Sequence, residues 1–178
     1  MTQIDAARRG EITPQIAQGA KDEFRDPEFV REGVAAGRIA IPANINHPNL
    51  RACGVGEGLR TKVNVNLGIS GDIQDAPQEW EKVAIAEKYG ADAIMDLSNS
   101  GKTRVFRRQL IEKTPLMVGT VPMYDAIGYL ETPLVKLTGD DLLRVVRAHA
   151  EDGVDFMTIH AGFNRRVLEI LEGRGISY

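Results

Sequence analysis

The sequence predicts an α/β fold: an incomplete (β/α)8 barrel of about four βα units, preceded by an irregular N-terminal segment. Three observations carry this. From residue 61 onward, four short apolar runs alternate with helix-like segments. The runs are apolar enough to be parallel strands covered by helices. Each run also ends in polar or reactive residues, as strands do at the mouth of a barrel. A doubly wound sheet would instead announce a glycine-rich turn after its first strand. "NLGISGD" offers only Gly68 and Gly71, too few for a dinucleotide fingerprint.

Residues 1–60 read as an N-terminal segment and 61–178 as the first half of the barrel. Within the segment, "DPEFVREGVAAG" (26–37) carries helix signals, with Pro27 in a first-turn position and a closing glycine. Loops are expected on either side. "IAIPANINHPNL" (39–50), with its two prolines and three asparagines, reads as an extended connector. Strands are predicted at "TKVNVNLG" (61–68), "DAIMDLS" (92–98), "PLMVGTVP" (115–122) and "DFMTIHAG" (155–162). Helices are predicted at 76–90, 101–113 and 138–153. In the last, Thr138 ahead of Asp140 and Asp141 is an N-capping pattern, and Gly153 is the stop. A fourth helix, "NRRVLEILEG" (164–173), follows, and "ISY" stands where a fifth strand would start.

Composition sets limits on function. The chain has 178 residues, 43% hydrophobic and 26% charged, with a net charge of -3, which suits one globular unit with a buried core. No Lys/Arg-rich run with interleaved aromatics points to nucleic acid, although small anionic ligands stay open. "MTQIDAARRGEITPQ" has no apolar signal region, and no run is long enough to span a membrane. The expectation is a cytoplasmic protein. Cys53 is the single cysteine, so by itself the chain can form no internal disulfide, Cys-based zinc site or iron–sulfur cluster.

The candidate site residues are Asn66, Met95, Tyr124 and His160, each at or just beyond a strand end. Their spacings of 29, 29 and 36 residues approximate one βα unit of about 30 residues, so the four would face one pocket. Each has a plainer reading. His160 is either a ligand group or a hydrogen-bonded structural residue. Asn66, with Asn64 on the same strand face, is either an inward amide or a turn former. Met95 is a soft wall or core packing, and Tyr124 a ligand group or an amphipathic cap. Asp96 is either an acceptor for a ligand amine or a partner of loop N–H groups. His47 and Cys53, six residues apart, suggest a metal ligand pair only weakly, and a structural loop is the competing reading. Arg165 and Arg166 open a helix that would attract phosphate or simply face solvent. No metal site is assigned to this chain.

The stretches "IPANINHP", "KVNVNLG", "AIMDLS", "VGTVPMYDA" and "GVDFMTIHAG" resemble, in order and spacing, the phosphomethylpyrimidine synthases of thiamine biosynthesis, the ThiC family. The resemblance implies a homodimeric (β/α)8 barrel lyase that uses S-adenosylmethionine, a [4Fe-4S] cluster and zinc. Its reaction rearranges 5-aminoimidazole ribotide into 4-amino-5-hydroxymethyl-2-methylpyrimidine phosphate. It also places substrate contacts on Asn66, Met95, Tyr124 and His160. The family's three cysteines, its metal-binding histidines and its Ser-Arg-Gly-Gly turn have no counterpart here, so the chain is expected to be an N-terminal portion, inactive alone and holding none of these cofactors. Two alternatives are the sister 5-hydroxybenzimidazole synthase activity on the same ribotide and a non-catalytic half-barrel that binds a sugar phosphate.

Overall fold

The computed structural model of the chain describes residues 1–71, 76–99, 103–130, 136–162 and 165–174. The expected start of a fifth strand at 176–178 lies outside them, as do residues 101–102 and 164 of two predicted helices. Among the described residues, no helix is long and apolar enough to cross a membrane.

The N-terminal segment is more regular than its sequence suggests. It holds three helices, α1 (Gln3–Arg8), α2 (Pro14–Asp22) and α3 (Pro27–Ala35), where one was expected. Each begins on a side-chain cap: Thr2, reciprocated by Asp5, then Thr13, then Asp26. Such caps satisfy backbone N–H groups that have no partner within the helix. Pro14 and Pro27 occupy first-turn positions, where a missing N–H costs nothing. The connector expected from 39 contains a short strand, β1 (Ile39–Ala40), antiparallel to β2 (Val55–Gly56). Ala7, Ile16, Ala20, Val30, Val34, Ile39, Ile41 and Ala52 bury one another in a core of their own.

A four-stranded parallel sheet follows, built from β3 (Asn64–Leu67), β4 (Ala93–Asp96), β5 (Met117–Thr120) and β6 (Phe156–Met157). The strands lie side by side in chain order, with no reversal. A doubly wound sheet reverses its strand order at a switch point, and none lies among the four described strands. The helices between strands are α4 (Ala76–Lys88), α5 (Arg104–Lys113), α6 (Pro122–Leu130) and α7 (Gly139–Asp152), and α8 (Arg165–Gly173) follows β6. For α7, the Thr138–Asp141 capping box and the left-handed Gly153 (φ 105°) confirm the start and stop read from sequence. α6 was not anticipated: Pro122 closes no strand but opens a helix, and Tyr124 stands in its first turn.

Alternation of side chains divides the sheet into two faces. Leu67, Ile94 and Val118 point to the helices, where Val83, Ala86, Phe106, Leu110 and Ile111 complete the main core. Trp80 meets Phe106 edge-on at 5.3 Å between ring centroids. On the opposite face, Ala93 and Met117 pack with Cys53, Leu50 and Phe156. The chain segment before β3 thus covers the N-terminal end of that face.

Candidate functional site

β3 and β4 are in register so that Asn66 pairs with Met95, and Met95 pairs in turn with Gly119 of β5. Register partners in a parallel sheet point to the same side, which is the face away from the helices. One position further along, Leu67, Asp96 and Thr120 are aligned and point the other way. Asn64 Nδ2 donates to Asn66 Oδ1 at 2.9 Å. This occupies one acceptor site of the Asn66 amide and sets its orientation.

At the same strand ends, the rings of Tyr124 and His160 lie 5.5 Å apart between centroids, tilted by 31°. The phenol is 42% exposed, and the imidazole is exposed as well. Thr158, two residues before His160, brings its hydroxyl to 4.0 Å from Met95 Sδ. The structure therefore places the four candidates at one end of one sheet, as two neighbouring pairs: Asn66 with Met95, and Tyr124 with His160. Beside His160, Pro122, Met123, Leu142, Leu143, Val146 and Ile159 line an open apolar cleft of about 360 Å³. Amide, phenol and imidazole together can donate and accept hydrogen bonds toward a small polar ligand, against the soft surface of Met95.

Asp96 does not belong to this face. Its carboxylate is buried and accepts from the Ser98 backbone N–H at 3.0 Å and from the Ser98 hydroxyl. Burial raises its pKa, with the Ser98 hydrogen bonds opposing. Of its two sequence readings, the loop-binding one holds.

His47 and Cys53 have separate partners. His47 Nδ1 lies 2.7 Å from Asp155 Oδ2, and Nε2 lies 2.9 Å from the Thr114 carbonyl, so both ring nitrogens are engaged. Cys53 Sγ sits 3.6 Å from Met117 Sδ. Burial, reinforced by the charge of Asp92, pushes its thiol up to about 11. Neither side chain is offered to a metal, and "INHP" is a structural loop. Asn44 Nδ2 donates to the carbonyls of Ala150 and Val154 at 2.8 Å each, and Asn46 Nδ2 to that of Glu151 at 3.0 Å. The two asparagines thereby cap the end of α7. Arg166 is exposed on α8.

Sequence reasoning missed a polar network directly behind Tyr124. His149 Nδ1 lies 2.9 Å from Thr120 Oγ1, and its Nε2 lies 3.1 Å from Asp125 Oδ2. Thr103 Oγ1 donates to Asp125 at 2.9 Å, and Arg107 donates to both Asp125 (3.1 Å) and Asp152 (2.9 Å). The only linear hint is the adjacency of Tyr124 and Asp125.

Comparison with known proteins gives a consistent result. Residues 2–176 match the family described as "Radical SAM ThiC family". The chain is 56% identical to a phosphomethylpyrimidine synthase of Clostridium tetani over 171 residues, covering 96% of this chain and 37% of that protein. It is 54% identical to one from Clostridioides difficile (94% and 39%) and 50% identical to one from Campylobacter jejuni (96% and 40%). The chain thus spans about two-fifths of the length of these curated relatives.

Proposed function

The chain belongs to the radical SAM ThiC family, and on that footing we propose that it supplies the first half of a (β/α)8 barrel in a phosphomethylpyrimidine synthase. In this reading residues 61–178 form the barrel half, residues 1–60 close its base, and the substrate is 5-aminoimidazole ribotide. The strand-end grouping of Asn66 beside Met95 and Tyr124 beside His160 is the observation that carries it. An exposed amide together with an adjacent phenol and imidazole at the same end of the sheet suits a ligand rich in ring nitrogens, hydroxyls and phosphate oxygens. Asn66, with one acceptor site of its Oδ1 filled by Asn64, presents chiefly its amide donors. Tyr124 and His160 hydrogen-bond the polar edge, and Met95 forms an apolar wall.

The radical SAM family implies S-adenosylmethionine and an iron–sulfur cluster, and zinc belongs to the same proposal. The residues here do not fit the cluster. Cys53 is the one thiol, buried against Met117 at the strand end opposite His160 and held protonated by burial. The part we assign to this chain is to bind and orient the ribotide. In the assembled enzyme, taken as a cytoplasmic homodimer of the lyase class, the cofactors would be held by residues outside these 178.

The test is an assay of the complete gene product, reconstituted with iron, sulfide and S-adenosylmethionine, on 5-aminoimidazole ribotide, with products identified by mass spectrometry. The hydroxymethylpyrimidine phosphate is expected, and Tyr124→Phe and His160→Ala should raise KM for the ribotide. Formation of 5-hydroxybenzimidazole would transfer the protein to the sister activity. Ribotide binding without turnover would favour a non-catalytic sugar-phosphate module, and no binding would overturn the reading.

A further inference from the structure

Tyr124 and Asp125 are consecutive in the first turn of α6 and face opposite ways. The phenol is exposed at the strand ends, while the carboxylate is only 2% exposed. Three side chains from two further elements converge on that carboxylate. Thr103 and Arg107 reach it from the start and body of α5, and His149 reaches it from α7. His149 is tied in turn to Thr120, the last residue of β5. Arg107, itself buried, also binds Asp152 near the end of α7, which takes a second guanidinium from Arg104. Because Asp125 accepts at Nε2, a neutral His149 carries its proton there and accepts the Thr120 hydroxyl at Nδ1. Every member then has a matched partner.

Such a cluster is a costly way to hold a helix. Replacing buried ion pairs by apolar side chains of similar volume is often neutral or stabilising. What directional bonds provide, and apolar contact does not, is a fixed angle. We infer that the Asp125–His149–Arg107 network is a positioning device. It fixes the first turn of α6 against α5, β5 and α7, so that Tyr124 stands beside His160 in the orientation that receives the ligand. The inference rests on the proposed ligand role of Tyr124.

Two measurements test it. In the 178-residue chain, 3-fluorotyrosine at position 124 reports its surroundings by 19F NMR. A single resonance is expected, shifted by His160→Ala. Asp125→Asn, which keeps the size but removes the charge and turns one accepting oxygen into a donating amide, should broaden or split that resonance and weaken its response to His160→Ala. His149→Gln serves as a second variant if the first does not fold. In the complete gene product, Asp125→Asn should raise KM for the ribotide about tenfold, and should cost nothing further when Tyr124 is already alanine. An unchanged 19F resonance, or equal KM losses with and without Tyr124, would overturn the inference. Should Tyr124→Ala leave KM unaltered, the ligand role of Tyr124 falls, and the 19F result alone decides whether the network positions the ring.

Discussion

His47 and Asp155 meet at 2.7 Å, both side chains fully buried, across 108 residues of sequence. The other ring nitrogen faces the Thr114 carbonyl. Two acceptors call for two donors, so the imidazolium is the form that satisfies the site. Burial pulls the His47 pKa down, but the hydrogen bond and charge of Asp155, joined by the Thr114 carbonyl, outweigh it and leave the pKa raised. A raised histidine contributes stability that is complete below its unfolded pKa of about 6.5 and lost as pH rises through the folded value. We expect the stability advantage of the wild-type chain over His47→Gln to shrink as pH rises above about 6.5. Urea denaturation across pH checks this, and a pH-independent difference would refute it.

Gly119 faces the ring of Phe156 across β5 and β6, and a Cβ built on it would overlap ring carbons of that side chain. Gly119→Ala should therefore destabilise the chain by about 1–3 kcal/mol, the usual cost of overpacking. Phe156→Leu in the same chain should recover most of the loss. Denaturant midpoints of the two single variants and the double variant decide the matter, and an unrecovered loss would trace the effect to the backbone.

Asp96 has the opposite economy from a solvent-facing carboxylate. Because burial raises its pKa, ionisation costs more in the folded than in the unfolded state and so at neutral pH opposes folding. Asp96→Asn keeps an oxygen that can accept from Ser98 and cannot ionise. Its melting temperature should equal or exceed that of the wild type at pH 7, and the gain should fade toward pH of about 4. A lower melting temperature at pH 7 would show that the charge itself is needed.

Cys53, its thiol pushed up to about 11 by burial, should react with a disulfide reagent at least about a hundredfold more slowly in the folded chain than in urea. Rapid labelling of the folded chain would contradict the burial on which this rests.

How far the fold was legible depended on repetition. The βα alternation was readable because each strand is a short apolar run and each helix is bounded by its own punctuation, most plainly Thr138 and Gly153 around α7. The adjacency of Asn66 and Met95 was readable because one repeat length separates them and neighbouring strands lie in register. α1 and α2 were missed although their caps are present in the sequence: six residues give α1 too little periodicity, and α2, as long as α3, lacks the closing glycine that marked that helix. α6 was missed because Pro122 serves equally well as the end of a strand or the start of a helix. Nothing in the linear text brings Thr103, Arg107, Thr120, Asp125 and His149 together. Their meeting requires the packing of α5, β5, α6 and α7, and packing has no local signature.

The clasp of Asn44 and Asn46 on the end of α7 also bears on the order of events during synthesis. Those amides, like His47, belong to the first third of the chain, but their acceptors lie 105 to 110 residues later. At ribosomal rates of about 5–20 residues per second, the early segment waits roughly 5–20 seconds before its partners exist. Until then those side-chain amides are left to water. Docking of this loop on the end of α7 is accordingly a late event on the ribosome.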